Sequence, residues 1–233
     1  MSLALVTGAA HRLGKVFALT LARYGFDLVL HYHQSLDAAR QTKAEVESVG
    51  RRVILSQADL TDPTQIQPLV STLDSLKVLV NSAAFMPSGN VDSLTMENWD
   101  TALDLNLRAP FLLAQECAKK MTDGGLIVNI TDVGAHKTWS RYPSYTVSKA
   151  ALESLTKILA RALAPKIRVN AIAPGFVLQS DIVSDEEWRR LINRIPLKRP
   201  ARSEELASAL EFLLNNEYIT GQTIVVDGGY SLV

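Results

Sequence analysis

A single cysteine, Cys117, in 233 residues excludes an internal disulfide and leaves no thiol cluster for a metal. It lies in the apolar-patterned segment FLLAQECAKKM, where a small buried helical residue is expected. Neither sign of charge is in surplus: Lys and Arg together number 24, as do Asp and Glu, so nothing draws the whole chain to nucleic acid or an anionic membrane. No apolar run approaches the roughly 18 to 20 residues of a membrane span, and the opening MSLALVTG has no basic stretch before its apolar residues. A soluble, cytoplasmic protein is expected. Internal repeats, low-complexity tracts and linkers rich in Pro, Gly and Ser are lacking too, and 47% hydrophobic residues suffice for one substantial core. Residues 1–233 are therefore expected to form a single α/β domain.

Seven short β-rich runs are present: 3–7, 26–32, 52–58, 77–81, 125–131, 167–173 and 222–228. Helical patterns separate them, as with Val16, Leu19, Ala22 and Arg23 in the first, and Leu152, Leu155, Ile158 and Leu159 in a later one. Strands alternating with helices imply parallel β-α-β units. The strands are nearly continuous in Val, Ile and Leu, so both faces of the sheet should be covered by helices. The expectation is a Rossmann-type, doubly wound, seven-stranded parallel sheet. The least regular stretch, 176–203, is the candidate lid over a substrate site.

TGAAHRLG, residues 7–14, follows the first run and precedes the helical KVFALTLARYG. Small residues there let backbone approach a pyrophosphate, and a helix N-terminus supplies amide donors and a favourable dipole. The second run ends in HYHQS, residues 31–35, without the Asp or Glu that holds a ribose 2′-hydroxyl in NAD-selective folds. His11 and Arg12 in the loop, with donors from His33, Gln34 and Ser35, suit an additional phosphate. NADP(H) is favoured over NAD(H).

In YPSYTVSKAALESL, Tyr145 and Lys149 stand four residues apart, so one helix face presents both. A phenol with an ordinary pKa near 10 is a poor acid-base catalyst at neutral pH, and a neighbouring ammonium favours its ionised form. With this pair, the order and spacing of TGxxxxxG at 7–14, AD at 58–59, NSAA at 81–84, Asn106, PG at 174–175 and VDGG at 226–229 resemble the short-chain dehydrogenase/reductase family over essentially the whole chain. That resemblance implies Tyr145 as proton donor or acceptor, Lys149 on the nicotinamide ribose, and Asn106 holding a relay water. It also implies a homotetramer. The implied cofactor-binding set is Gly8, His11, Arg12, Leu13, Gly14, Tyr32, His33, Gln34, Ser35, Asp59, Leu60, Asn81, Ser82, Ala83, Tyr145, Lys149, Pro174 and Gly175.

Three positions depart from the general pattern: Arg12 replaces the middle glycine, Ser82 the second Asn of NNAG, and Asp132 the serine thirteen positions before the tyrosine. An ionised aspartate only accepts hydrogen bonds, whereas serine donates one to a carbonyl oxygen. Asp132 therefore suits a substrate with N–H and ring-nitrogen groups, and its charge should keep Tyr145 protonated. Together with LHYHQS and the ending YITGQTIVVDGGYSLV, these features are similar to pteridine reductases. The resemblance implies NADPH-dependent reduction of a dihydropterin or dihydrofolate, with Arg12, Asp132, Tyr145 and either Phe85 or Met86 against the substrate. A carbonyl reductase of the 3-oxoacyl or sugar type, and an NADP(H) sensor without turnover, are the alternatives.

Overall fold

The computed structural model describes residues 2–180 and 183–233. In chain order the elements are β1 (Leu3–Val6), α1 (Arg12–Arg23), β2 (Asp27–Tyr32), α2 (Leu36–Ser48), β3 (Val53–Gln57), α3 (Ile66–Ser71), β4 (Leu76–Asn81), α4 (Met96–Leu103), α5 (Ala109–Lys120) and β5 (Met121–Ile130). They continue with α6 (Gly134–Lys137), α7 (Pro143–Leu163), β6 (Ile167–Pro174), α8 (Asp185–Ile192), α9 (Ser203–Asn215) and β7 (Thr223–Val226). The seven strands form one sheet in the order β3-β2-β1-β4-β5-β6-β7, and every pairing is parallel. Strand order reverses between β1 and β4, so the crevice there opens beside the carboxyl ends of both strands.

Why the strands read as unbroken apolar runs is visible in β1. Ala4 and Val6 enter the core beneath α1 and α9, while Leu5 enters the core beneath α3, α5 and α7. Both faces are dry, so neither parity of residue can be polar. In α1 the buried stripe is Gly14, Phe17, Ala18, Leu21 and Ala22. This corrects the stripe expected from the sequence: Val16 and Leu19 are only half-buried and Arg23 is exposed, because apolar residues surround that helix on more than one side. Likewise Ile158 of α7 is 61% exposed, while Leu152, Thr156 and Leu159 carry the packing. Cys117 is buried in α5 as expected. β5 begins earlier than its apolar run, because Met121 pairs with Leu76 before an irregularity and the register resumes at Val78 with Leu126.

The 176–203 stretch contains α8, a short helix matched to its own dipole. Ser184 caps it by accepting from the Glu187 amide, with Asp185, Glu186 and Glu187 in the first turn and Arg189 and Arg190 in the last. Asp181 and Ile182 of that stretch lie outside the described residues. Among the described residues no helix is long and apolar enough to cross a membrane, and no group of His, Cys, Asp or Glu is arranged to hold a metal.

Candidate active site

The site residues gather at the carboxyl edge of the sheet. The chain leaves β1 through Gly8, whose φ of +63° is a left-handed conformation costly for a residue with a Cβ. A Cβ at Gly8 would also lie 2.9 Å from the Ala83 Cα, and one at Gly14 would lie 2.0 Å from the Gly8 carbonyl oxygen. These two glycines let loop, helix and the 81–84 segment meet. Thr7, absent from the expected site residues, fixes the junction: its Oγ1 accepts from the amides of Ser82 and Ala83, each at 3.0 Å. The hydroxyl at the head of TGxxxxxG was the available sequence signal.

α1 starts with no side-chain cap from His11 and no acidic residue in its first turn. The N-terminal amides and dipole of α1 therefore fit a dinucleotide pyrophosphate. Arg12 adopts φ 52° where the general pattern has glycine, and its guanidinium donates to the carbonyls of Leu178 at 3.0 Å and Gln179 at 3.4 Å. It thus spans from the nucleotide loop to the segment after Gly175. Leu13, in the first turn of α1, packs on the core.

At the end of β2, Gln34 is exposed and Ser35 half-buried, with no carboxylate from 32 to 35. His33 is exposed, with Nε2 3.8 Å from Asp59 Oδ2. Asp59 also accepts from the Thr61 amide and hydroxyl, and the hydroxyl bond chiefly holds its carboxyl below the usual range. The side chains of Tyr32 and Leu60 are packed in the core. Tyr32 is buried against Ala10 and Ala39, and Leu60 enters the core beneath α3, because both belong to the dry side of their turns.

The chemical centre joins the ends of β5 and β6 to α7. Tyr145 donates to Asp132 Oδ2 at 2.8 Å, and the Gly134 amide donates to Oδ1 at 2.6 Å. A Cβ at Gly134 would meet the Trp139 ring at 2.8 Å and Asp132 Oδ1 at 3.0 Å, so glycine is required for this turn. Lys149 is buried; its Nζ donates to the Ile130 carbonyl at 2.7 Å and sits 5.6 Å from the centroid of the Tyr145 ring. Desolvation raises Asp132 to about 6, against the opposing Gly134 and Tyr145 hydrogen bonds. Burial first, and the Asp132 charge second, push the Tyr145 phenol up, which keeps it protonated. Burial pulls Lys149 down to about 8 while Asp132 opposes the fall. The arrangement is a protonated phenol donating to a carboxyl group, beside a desolvated ammonium, and such a set can hold and pass a proton.

Asn106 lies in a π-helical turn, Asp104–Arg108, between α4 and α5. Its Oδ1 accepts from the Phe85 amide, and its Nδ2 donates to the Phe85 carbonyl and to Ser148 Oγ. With both Nδ2 hydrogens engaged, the amide has no donor left for a relay water. The same bonds clip the Phe85 backbone in place, while the neighbouring Met86 is 40% exposed. Asn81 donates to Asn129, which donates to Thr156, tying β4 to β5 and α7. Pro174 ends β6, and Gly175 packs so closely on Asp227 that a Cβ would lie 2.8 Å from its Cα. Phe176 stacks on Trp139 and meets Trp188 of α8 and Tyr230 edge-on, which anchors the 176–203 stretch beside Gly134.

Glycine loop, switch-point crevice and Tyr-Lys pair define an oxidoreductase; the chain belongs to the short-chain dehydrogenase/reductase family. A family model described as enoyl-(acyl carrier protein) reductase matches residues 8–231. A 3-oxoacyl-[acyl-carrier-protein] reductase of Synechocystis is 36% identical over 97% of this chain and 95% of its own length. Among solved structures, FolM alternative dihydrofolate reductase 1 from Brucella canis, complexed with NADP, is 35% identical with TM-score 0.93, covering 100% of this chain and 94% of that one. The angucycline C-6 ketoreductase LanV with bound NADP is 29% identical with TM-score 0.94, covering 100% of this chain and 96% of that one.

Proposed function

We propose that this protein is an NADPH-dependent reductase of a dihydropterin or dihydrofolate, forming the tetrahydro compound. One observation carries the substrate assignment: Tyr145 donates at 2.8 Å to a carboxyl group, Asp132, where a carbonyl reductase of the general pattern carries serine. An ionised carboxylate there cannot donate to a ketone oxygen, but it can accept from the amino and N–H groups of a pterin ring. Reducing the C=N bond adds hydride to carbon and a proton to ring nitrogen. Nicotinamide supplies the hydride when NADPH is bound. Asp132 and Tyr145 hold the proton, Lys149 positions Tyr145 and the ribose, and Arg12 lies between pyrophosphate and substrate. Phe85, fixed by Asn106, is better placed than the exposed Met86 to cover the ring, and the 176–203 segment closes the far side.

The carbonyl-reductase reading draws on the Synechocystis relative, whose identity of 36% is matched by the 35% of the Brucella protein. Overall similarity therefore does not separate the two, and Asp132 supports the pterin reading. A sensor without turnover would have no use for the joined Asp132, Tyr145 and Lys149. The discriminating experiment follows NADPH oxidation with dihydropterins, dihydrofolate and simple ketones: turnover confined to the first two is expected. Oxidation with ketones alone returns the protein to the carbonyl reductases, and binding without oxidation in any mixture identifies a sensor. We also infer a homotetramer, supported by Phe111 of α5 and by Val147 and Ile158 of α7, which are large, apolar and exposed.

NADPH is expected to have a higher kcat/KM than NADH, since no carboxylate at 32–35 opposes a 2′-phosphate. Gln34→Asp places a charge at that point and should narrow the ratio by about tenfold or more. An unaltered ratio in this variant moves the phosphate site away from β2.

A further inference from the structure

His31 is the last residue but one of β2, 2% exposed, and stands apart from the proton-transfer centre. Its Nδ1 lies 3.2 Å from the Gly8 amide nitrogen and its Nε2 lies 3.1 Å from the Ala58 carbonyl oxygen. A backbone amide can only donate and a carbonyl can only accept, so the ring is neutral with its hydrogen on Nε2. Burial, which pushes the imidazole down to about 4, agrees with the neutral form. The His31 carbonyl also accepts from the Ala9 amide at 2.9 Å. Residue 31 thus holds two consecutive amides of the nucleotide loop, one through its ring and one through its backbone, and ties them to the end of β3. Both bonds turn the loop's entry toward β2 at the point where Gly8 takes its left-handed conformation. A ladder strand needs no imidazole at this position; a loop that must be held at one height over the sheet does.

We propose that His31 is a positioning residue for the dinucleotide, setting the glycine loop against the pyrophosphate through the Gly8 amide. The inference rests on the dinucleotide part of the proposed function and not on the pterin. It has a distinctive consequence: the pyrophosphate is common to both nicotinamide cofactors, so loss of the His31 ring weakens NADPH and NADH alike. The two ring nitrogens are separable by substitution. In His31→Asn the amide oxygen falls near the position of Nδ1 and keeps an acceptor for Gly8. In His31→Gln the longer side chain reaches the position of Nε2 and keeps a donor for Ala58 but offers Gly8 nothing. His31→Leu removes both.

The test measures dissociation constants of NADPH and NADH by quenching of intrinsic tryptophan fluorescence, without substrate, alongside thermal unfolding of the cofactor-free protein. His31→Gln and His31→Leu should raise both constants by about tenfold, the scale of one lost buried hydrogen bond, with the ratio of the two cofactors unchanged. His31→Asn should bind within about threefold of the parent, even where its unfolding temperature falls. Equal losses in the Asn and Gln variants, in step with their unfolding temperatures, would make His31 a core residue only and overturn the proposal. Loss confined to NADPH would also overturn it, by moving the effect to the 2′-phosphate. Failure of the parent protein to bind either cofactor would sink the dinucleotide reading itself, and this inference with it.

Discussion

Tyr145→Phe is expected to lower kcat by about 10²- to 10⁴-fold, the range that a positioned general acid contributes, while the protein remains folded. The ring is buried at 6% exposure, and phenylalanine preserves its packing. Only the hydroxyl is lost, and with it the bond to Asp132 Oδ2 at 2.8 Å. Because that bond lowers the Asp132 pKa, its loss should push the carboxyl further up and leave it protonated over a wider range. The variant therefore retains an acid near the site but lacks the group that carries its proton to substrate. NADPH affinity should change little, since phenylalanine keeps the ring of Tyr145 in place and removes one hydroxyl from a cradle of many residues. Lys149→Ala provides the contrast: it should impair turnover and also weaken NADPH binding, because Lys149 is assigned to the ribose. Single-turnover NADPH oxidation with a dihydropterin, together with fluorescence binding, measures both. A loss below about tenfold in Tyr145→Phe would remove Tyr145 from proton transfer, and unchanged cofactor affinity in Lys149→Ala would remove Lys149 from the ribose.

The parts legible in the sequence were those whose cause is local. The central strands are covered on both faces and so read as near-continuous apolar runs, the partly buried edge strands β3 and β7 still stood out by their Val, Ile and Leu, and the turn-length spacing of Tyr145 and Lys149 placed both on one face of α7. Where apolar residues wrap more than one side of a helix, periodicity loses its phase, and the expected stripe of α1 was displaced from the observed Phe17, Ala18 and Leu21. Long-range partners left no local trace. The Arg12 guanidinium reaches carbonyls at 178 and 179, the His31 ring reaches Gly8 and Ala58, and Asn106 spends its amide on Phe85 and Ser148. A motif can say that a histidine or an asparagine belongs near the cofactor. It does not say whether the side chain meets a ligand or holds the backbone that does, and at residues 31 and 106 the side chain is bonded to backbone.

Asp132→Asn and Asp132→Ser should each reduce dihydropterin turnover by about 10²-fold or more while sparing NADPH binding. The two carboxyl oxygens have different tasks. Oδ1 caps the turn into α6 by accepting from the Gly134 amide at 2.6 Å, and Oδ2 receives the Tyr145 hydroxyl at 2.8 Å. Asparagine can keep the cap with its own oxygen, but it presents an amide to Tyr145 and cannot take up or release a proton. Its stability should stay near that of the parent, whereas a role confined to the cap would show as a loss of about 1 kcal/mol in the serine variant with kcat nearly intact. The pH dependence supplies a second test. Desolvation raises the Asp132 pKa from 3.8 to about 6, so the folded state binds the proton more tightly than the unfolded one. That contribution to stability is fully present below about 4 and is lost as pH rises through about 6. If the protonated carboxyl feeds the reaction, kcat for a dihydropterin falls as pH rises through the same point, and the limb disappears in the asparagine variant. A limb that persists in Asp132→Asn belongs to another group, and vigorous turnover of dihydropterins by Asp132→Ser would show that the carboxyl is no part of the chemistry.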